Sequence, residues 1–272
     1  MLKINHNMLT YIRLFAILSL LGLTLVACSS SPDDADETLQ WTAEKLYQEA
    51  KDSMQIGDYE TAIDYLEKIE ARFPFGRYAQ QAQLESAYAY YKFNEPESAI
   101  SAADRFIKLH PRHGSVDYAY YIKGLASFPA GNNFLEDVMK KDSSMLDPGT
   151  ARRSFGYFST LVKKFPDSNY AKDSKKRMAF LRNNLAMHEI NVANFYMKRG
   201  AYVAAVNRAK YILENYQQTP AVPRALDILK QAYNELNISE LAADTDRIIK
   251  LNQKGDQNLN NKSDKSQDLE QK

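Results

Sequence analysis

The sequence predicts an all-α protein, a right-handed α-solenoid of about five stacked helix pairs with an insertion in the third. Three observations predict it. First, the frame Gly57-Asp58-Tyr59-Glu60-Thr61-Ala62-Ile63 returns 37 residues later as Asn94-Glu95-Pro96-Glu97-Ser98-Ala99-Ile100. Second, it returns again as Gly200-Ala201-Tyr202-Val203-Ala204-Ala205-Val206, and 37 residues beyond that as Asn237-Ile238-Ser239-Glu240-Leu241-Ala242-Ala243. Third, apolar residues within each frame recur at helical spacing, and no alternating strand pattern survives beside that period. Units of this length cannot bury an apolar face alone; stacked in one direction they build a superhelix with a concave side.

The chain opens with the three zones of a secretory signal over residues 1–27. Lys3 and Arg13 are its only formal charges, the apolar run LFAILSLLGLTL spans Leu14 to Leu25, and small residues precede Cys28. Twelve such residues fall short of the roughly 20 that a membrane-spanning helix needs. Leu25-Val26-Ala27-Cys28 resembles the lipobox of bacterial lipoproteins, with Val26 bulkier than the commonest residue at its place. The chemistry requires a thiolate nucleophile to accept diacylglycerol. The other reading, a lone buried or free cysteine, would sit more naturally inside an amphipathic segment. Cys28 is therefore expected to carry diacylglycerol and an N-acyl chain. Ser29 after it, by the lipoprotein sorting rule, favours the outer membrane. Cys28 is the only cysteine, so acylation leaves the folded part without disulfides or a cysteine nucleophile.

Residues 28–40 read as an acylated flexible tether, with four acids in SSSPDDADETLQ. Without Lys3 and Arg13 the formal net charge moves from +1 to −1. That balance argues against nucleic acid, which selects basic faces. The foldable part runs from about Trp41 to Leu251.

Within it the repeats resemble the tetratricopeptide (TPR) pattern. Gly57 suits the turn between paired helices, because a residue without Cβ tolerates unusual dihedrals. Ala62, Ala99, Ala205 and Ala242 occupy the crossing points, where small side chains let helix axes approach. Leu66 and Ile69 continue the inward stripe, and Phe73-Pro74 and His110-Pro111 close the first two repeats. The third repeat places helices at about Asp117 to Phe128 and Ala151 to Phe165, with Phe155, Phe158 and Leu161 inward. Between them PAGNNFLEDVMKKDSSMLDPGT is an insertion, and long insertions in compact domains are usually functional or mobile. Tyr170, Met178, Leu181 and Leu185 predict one extended helix from Ser168 towards Arg199. Residues 41–166 form N-terminal repeats 1–3, residues 167–251 C-terminal repeats 4–5, and residues 252–272 a disordered polar tail.

Catalytic candidates are weak. His110 and His113 flank a repeat-closing loop with no third metal ligand nearby in sequence and read as surface histidines. His188-Glu189 opens a zincin-like motif, but Val192 stands where a second histidine belongs. Glu85-Ser86 matches the catalytic pair of lytic transglycosylases, whose acid must be buried for general-acid work. The Gly-Leu-Met-Gln-type segment those enzymes need is missing, so Glu85 reads as a solvated helix residue. No catalytic residue, metal or cofactor is expected. Tyrosine is the other anomaly, with 18 in the chain and clusters at Tyr88-Ala89-Tyr90-Tyr91 and Tyr118-Ala119-Tyr120-Tyr121. A ring with a hydroxyl suits peptide recognition. Tyr90 is assigned to packing, and Tyr88 and Tyr91 remain possible groove residues.

Four stretches carry a closer resemblance: RFPFGRYAQQAQLESAYAYYK (Arg72 to Lys92), DRFIKLHPRH (Asp104 to His113), KKFPDSNYAKDSKKRMAFLRNNLA (Lys163 to Ala186) and FYMKRGAYVAAVNRAKYIL (Phe195 to Leu213). With the lipobox and the third-repeat insertion, they are similar to the BamD family (ComL/YfiO-like). These are TPR lipoproteins of the outer-membrane β-barrel assembly machinery. The resemblance implies a non-catalytic scaffold, lipid-anchored at the periplasmic face of the outer membrane. Its implied partners are a barrel-forming subunit with periplasmic domains, other assembly lipoproteins and unfolded outer-membrane proteins. Arg208 matches a family position tied to the barrel subunit. Its planar donor fork suits a carboxylate across an interface, and an intramolecular or solvated arginine is the other reading. The alternative function is a peptidoglycan-associated TPR lipoprotein, either a coordinator of cell-wall synthesis or a lytic transglycosylase.

Overall fold

The computed structural model describes residues 36–128 and 147–270, with side chains followed as far as Lys254. The expected signal peptide, Cys28 and the insertion from Phe134 to Met145 lie outside the described residues. The described chain divides into a short N-terminal segment and the helical body that starts at Ala43. In the segment, the end of the expected tether is a 3-10 turn, Glu37–Gln40. Asp36 caps it, its carboxylate accepting from the Thr38 amide at 3.0 Å and the Thr38 hydroxyl at 2.6 Å.

The body contains ten helices among the described residues: α1 (Ala43–Ile56), α2 (Tyr59–Arg72), α3 (Arg77–Lys92), α4 (Pro96–Leu109), α5 (Val116–Ala126), α6 (Pro148–Lys164), α7 (Ala171–Lys198), α8 (Tyr202–Asn215), α9 (Ala221–Glu235) and α10 (Ser239–Glu270). They form five consecutive pairs, and the described residues contain no strand. Every helix packs on the next, and α1 on α3, α3 on α5 and α7 on α9. This is the one-dimensional stacking of a solenoid. The expected extended helix is α7. The polar stretch from Asn252, expected as a disordered tail, continues the backbone of α10 to Glu270.

The turn inside each regular pair is built the same way. Gly57, Asn94, Gly200 and Asn237 all have positive φ, at 84°, 64°, 71° and 58°. The next residue's amide reaches five residues back, from Asp58 to Ser53, Glu95 to Tyr90, Ala201 to Tyr196 and Ile238 to Tyr233. This left-handed C-terminal motif is open to glycine and tolerated by asparagine, which is why the frame alternates between those two residues.

Second helices also end alike. Phe73, His110, Phe165 and Tyr216 adopt nearly the same non-helical backbone, and each donates its amide to a carbonyl four residues earlier. The acceptors Ile69, Phe106, Leu161 and Ile212 are all fully buried. A proline follows the first three, and proline disfavours helical backbone at the residue before it.

At the crossings Ala62, Ala99 and Ala205 are fully buried and Ala242 nearly so. Ala50, Ala87 and Ala193 on the first helices are also fully buried. The third pair departs from this. Ser154 takes the alanine's place and donates its hydroxyl to the Gly124 carbonyl at 2.9 Å. A Cβ on Gly124 would lie 2.4 Å from the ring of Phe158. The missing methyl is the space that ring fills.

Candidate functional site

Two arrangements concentrate polar chemistry on this scaffold. The first is a seam of tyrosines shared by α3, α5 and the start of α7. The ring of Tyr170 stacks on Tyr121 at 4.7 Å between centroids and lies 5.2 Å from Tyr118. Tyr121 donates its hydroxyl to Asp173 at 2.7 Å, and Arg177 Nε donates to the same carboxylate oxygen at 2.6 Å. Tyr88 meets Tyr59 edge-on at 6.4 Å. Tyr88 and Tyr91, the possible groove residues, are both half-buried on α3 and pack against the apolar cluster that Tyr118 also borders.

Burial sets the chemistry of these rings. Loss of solvent raises the Tyr118 phenol, with the nearby oxygens of Tyr170, Tyr88 and Glu85 adding to it. Burial and the bond to Asp173 push Tyr121 up to about 12. Burial also raises Tyr88, reinforced by Tyr59, while Arg177 partly offsets the rise at Tyr91. The seam therefore presents neutral hydroxyls over apolar rings, a surface suited to an extended chain with mixed side chains. Tyr90, assigned to packing, is half-buried and donates its hydroxyl to Glu67 on α2.

Glu85, expected as a solvated helix residue, is not one. Its Oε1 accepts from Tyr47 at 2.8 Å and from Lys51 at 3.2 Å, while Oε2 is buried without a hydrogen-bond partner. The reason is the contact of α1 with α3, which folds Tyr47 and Lys51 over this position. His110 is half-buried, with Nε2 2.8 Å from Gln83 Oε1, and exposed His113 accepts the Ser115 amide at 3.1 Å. Both rings pack against Phe106. Among the described residues no group of three or more His, Cys, Asp or Glu could hold a metal ion. No described helix is long and apolar enough to cross a membrane.

The second arrangement surrounds Arg208. On α7, Glu189 is buried, with a side chain only 4% exposed. Its Oε2 accepts from Arg208 Nη1 on α8 at 3.1 Å, and its Oε1 lies 3.7 Å from Arg152 Nη2 on α6. The two arginines remain 45% and 53% exposed. One acid thus ties three helices together across the boundary between repeats 3 and 4, and both planar forks keep area facing water. Sequence reasoning singled out Arg208 but missed Glu189 and Arg152. His188-Glu189 drew attention only as a failed metal motif. A buried acid on an apolar helix face, needing a cation from a neighbour, was the available signal.

The comparisons agree with this architecture. The YfiO family, described as "Outer membrane lipoprotein", matches residues 40–248. A Neisseria meningitidis (serogroup B) protein named outer membrane protein assembly factor BamD is 45% identical over 235 residues, covering 85% of this chain and 88% of the relative. The Vibrio cholerae protein of the same name is 36% identical over 234 residues, covering 86% and 96%. The five-pair helical stack and these matches across nearly its whole length lead to one conclusion: the chain belongs to the YfiO/BamD family of outer membrane lipoproteins.

Proposed function

We propose that the chain is a lipid-anchored, non-catalytic scaffold of the outer-membrane β-barrel assembly machinery. In this reading Cys28 carries the diacylglycerol and N-acyl chain that hold it at the periplasmic face of the outer membrane. Repeats 4 and 5 dock on periplasmic domains of the barrel-forming subunit, and other assembly lipoproteins join the same complex. Repeats 1–3 receive segments of unfolded outer-membrane proteins along the tyrosine seam, where Tyr88 and Tyr91 sit.

Family membership carries the reading, because the relatives named as assembly factors match across repeats rather than in one motif. Arg208 adds a local argument. Glu189 fixes one edge of its guanidinium, and the half-exposed remainder offers donors to a partner's carboxylate. A charge-assisted, pre-oriented fork loses little entropy on binding.

Isolation of the tagged protein from its own outer membranes in mild detergent, beside an Arg208→Glu form, tests this. The wild type is expected to bring down a β-barrel protein with periplasmic domains, and the variant to lose it. Equal recovery by both forms would keep the scaffold and remove Arg208 from the contact. Recovery of peptidoglycan-linked proteins alone would sink the assembly role.

A further inference from the structure

A cleft opens between α6, α7 and α8; it lies apart from the tyrosine seam and shares only Arg152 with the arrangement around Arg208. Its volume is about 280 Å³, and its walls are Arg152, Phe155, Arg182, Leu185, Tyr211 and Tyr216, with Asn215 at one side. A second hollow of about 190 Å³ shares Phe155 and Arg182 with it and adds Lys175 and Met178. Together they follow α7 for the two turns between Lys175 and Arg182, roughly 10 Å at 1.5 Å per residue. The floor is apolar and aromatic, three cations stand around it, and no acid is among the lining residues of either hollow.

Two of the cations, the arginines, are held in place. Arg182 Nη2 donates to the Gln218 carbonyl at 3.3 Å, which anchors its fork to the loop after α8. Arg152 is drawn towards buried Glu189. Tyr211 and Tyr216 meet edge-on at 5.9 Å, closing the far wall. One group there is unsatisfied: Arg182 Nε is buried and has no hydrogen-bond partner. A buried charged donor without an acceptor is costly, and an anion beside the same guanidinium would offset part of that cost.

We infer that this cleft binds an acidic segment of a partner protein, seating an apolar or aromatic side chain on Phe155, Leu185 and the two tyrosines while a neighbouring carboxylate pairs with Arg182 and Arg152. An elongated apolar floor with cations at intervals fits a peptide rather than a compact anion, which asks for converging donors. Charge-assisted bonds to pre-fixed guanidinium forks supply the specificity. This site rests on neither Arg208 nor the lipid; because Arg152 is shared with the Glu189 network, its test turns on Arg182 and Lys175.

The test uses the full mature chain in detergent and fluorescently labelled synthetic peptides carrying Glu-Phe pairs, with Gln-Phe peptides as the control. Fluorescence anisotropy is expected to show binding of the acidic peptide and at least tenfold weaker binding of the control. Arg182→Gln should weaken the acidic peptide about tenfold or more. Arg182→Lys, which keeps the charge but loses the planar fork, should restore only part of that. Exposed Lys175→Gln, a change that leaves the core intact, should weaken it several-fold and supports the site should Arg182→Gln fail to fold by circular dichroism. Equal binding of Glu and Gln peptides, or an Arg182→Lys form that binds like wild type, would overturn the proposal. So would Arg182-dependent binding of phosphatidylglycerol vesicles or inorganic phosphate with no binding of peptide.

Discussion

The second and third helix pairs solve one packing problem in two ways. In the second, Ala87 clusters with Ala102 and Ala103, and small residues on both helices let the axes close. In the third, α5 gives up its side chain altogether at Gly124, and α6 fills the space with the whole ring of Phe158. The first solution is robust because any small residue satisfies it. The second depends on one glycine and one ring. In this repeat side-chain fit between α5 and α6 takes the place of the alanine pairing used elsewhere.

Substitutions that break this contrast should rank by how much buried volume they disturb. Phe158→Ala empties a fully buried site and should cost about 3–5 kcal/mol, read as a fall in denaturation midpoint of the mature chain. Gly124→Ala forces the ring aside and should cost about 1–3 kcal/mol. In a Phe158→Leu background the same glycine change should cost distinctly less, and strict additivity would show that the two positions do not share one space. At the regular turns, Asn94→Ala and Asn237→Ala place alanine at positive φ and should each cost about 1 kcal/mol, whereas Asn94→Gly should be near neutral. Ser154→Ala restores the regular crossing residue but removes the bond to the Gly124 carbonyl; about 1 kcal/mol or less is expected.

The tyrosine seam supplies a prediction that is silent at neutral pH. The phenol of Tyr121 is raised from its ordinary 10.0 to about 12 in the folded protein. Its contribution is therefore fully present below pH 10 and lost as pH rises towards 12, because the unfolded chain gives up the proton first. Stability should fall over that window. Tyr121→Phe should flatten the fall, measured by urea denaturation at stepped pH alongside the ultraviolet absorbance of phenolate.

Much of this was readable in the chain. The alternation of Gly57, Asn94, Gly200 and Asn237 fixed the turns, since few residues accept left-handed backbone. The alanines fixed the crossings, since only small side chains fit there. The bounds of α7 were readable because its apolar stripe continues past the frame. What failed involved partners distant in sequence. Glu85 read as solvated because nothing local says that Tyr47 and Lys51 fold over it. Glu189 carried no motif, although it gathers arginines from two other helices. The backbone of α10 continues where polarity alone suggested a tail. Side-chain periodicity reports a helix's own faces; it does not report which charge a neighbouring helix delivers to them.

The length of α7 carries one more consequence. Its 28 residues make a rod of roughly 42 Å, packed on α6, α8 and α9 and joined at its first turns to α5 through the Tyr121–Asp173 bond. A solenoid of equal short units can fray from either end one unit at a time. This rod belongs to both halves, so loosening one end withdraws support from the other. The protein should behave under mechanical load less like a string of beads than like two short arms bolted to a common strut. A pull on the partner-binding repeats would be felt where the tyrosines are.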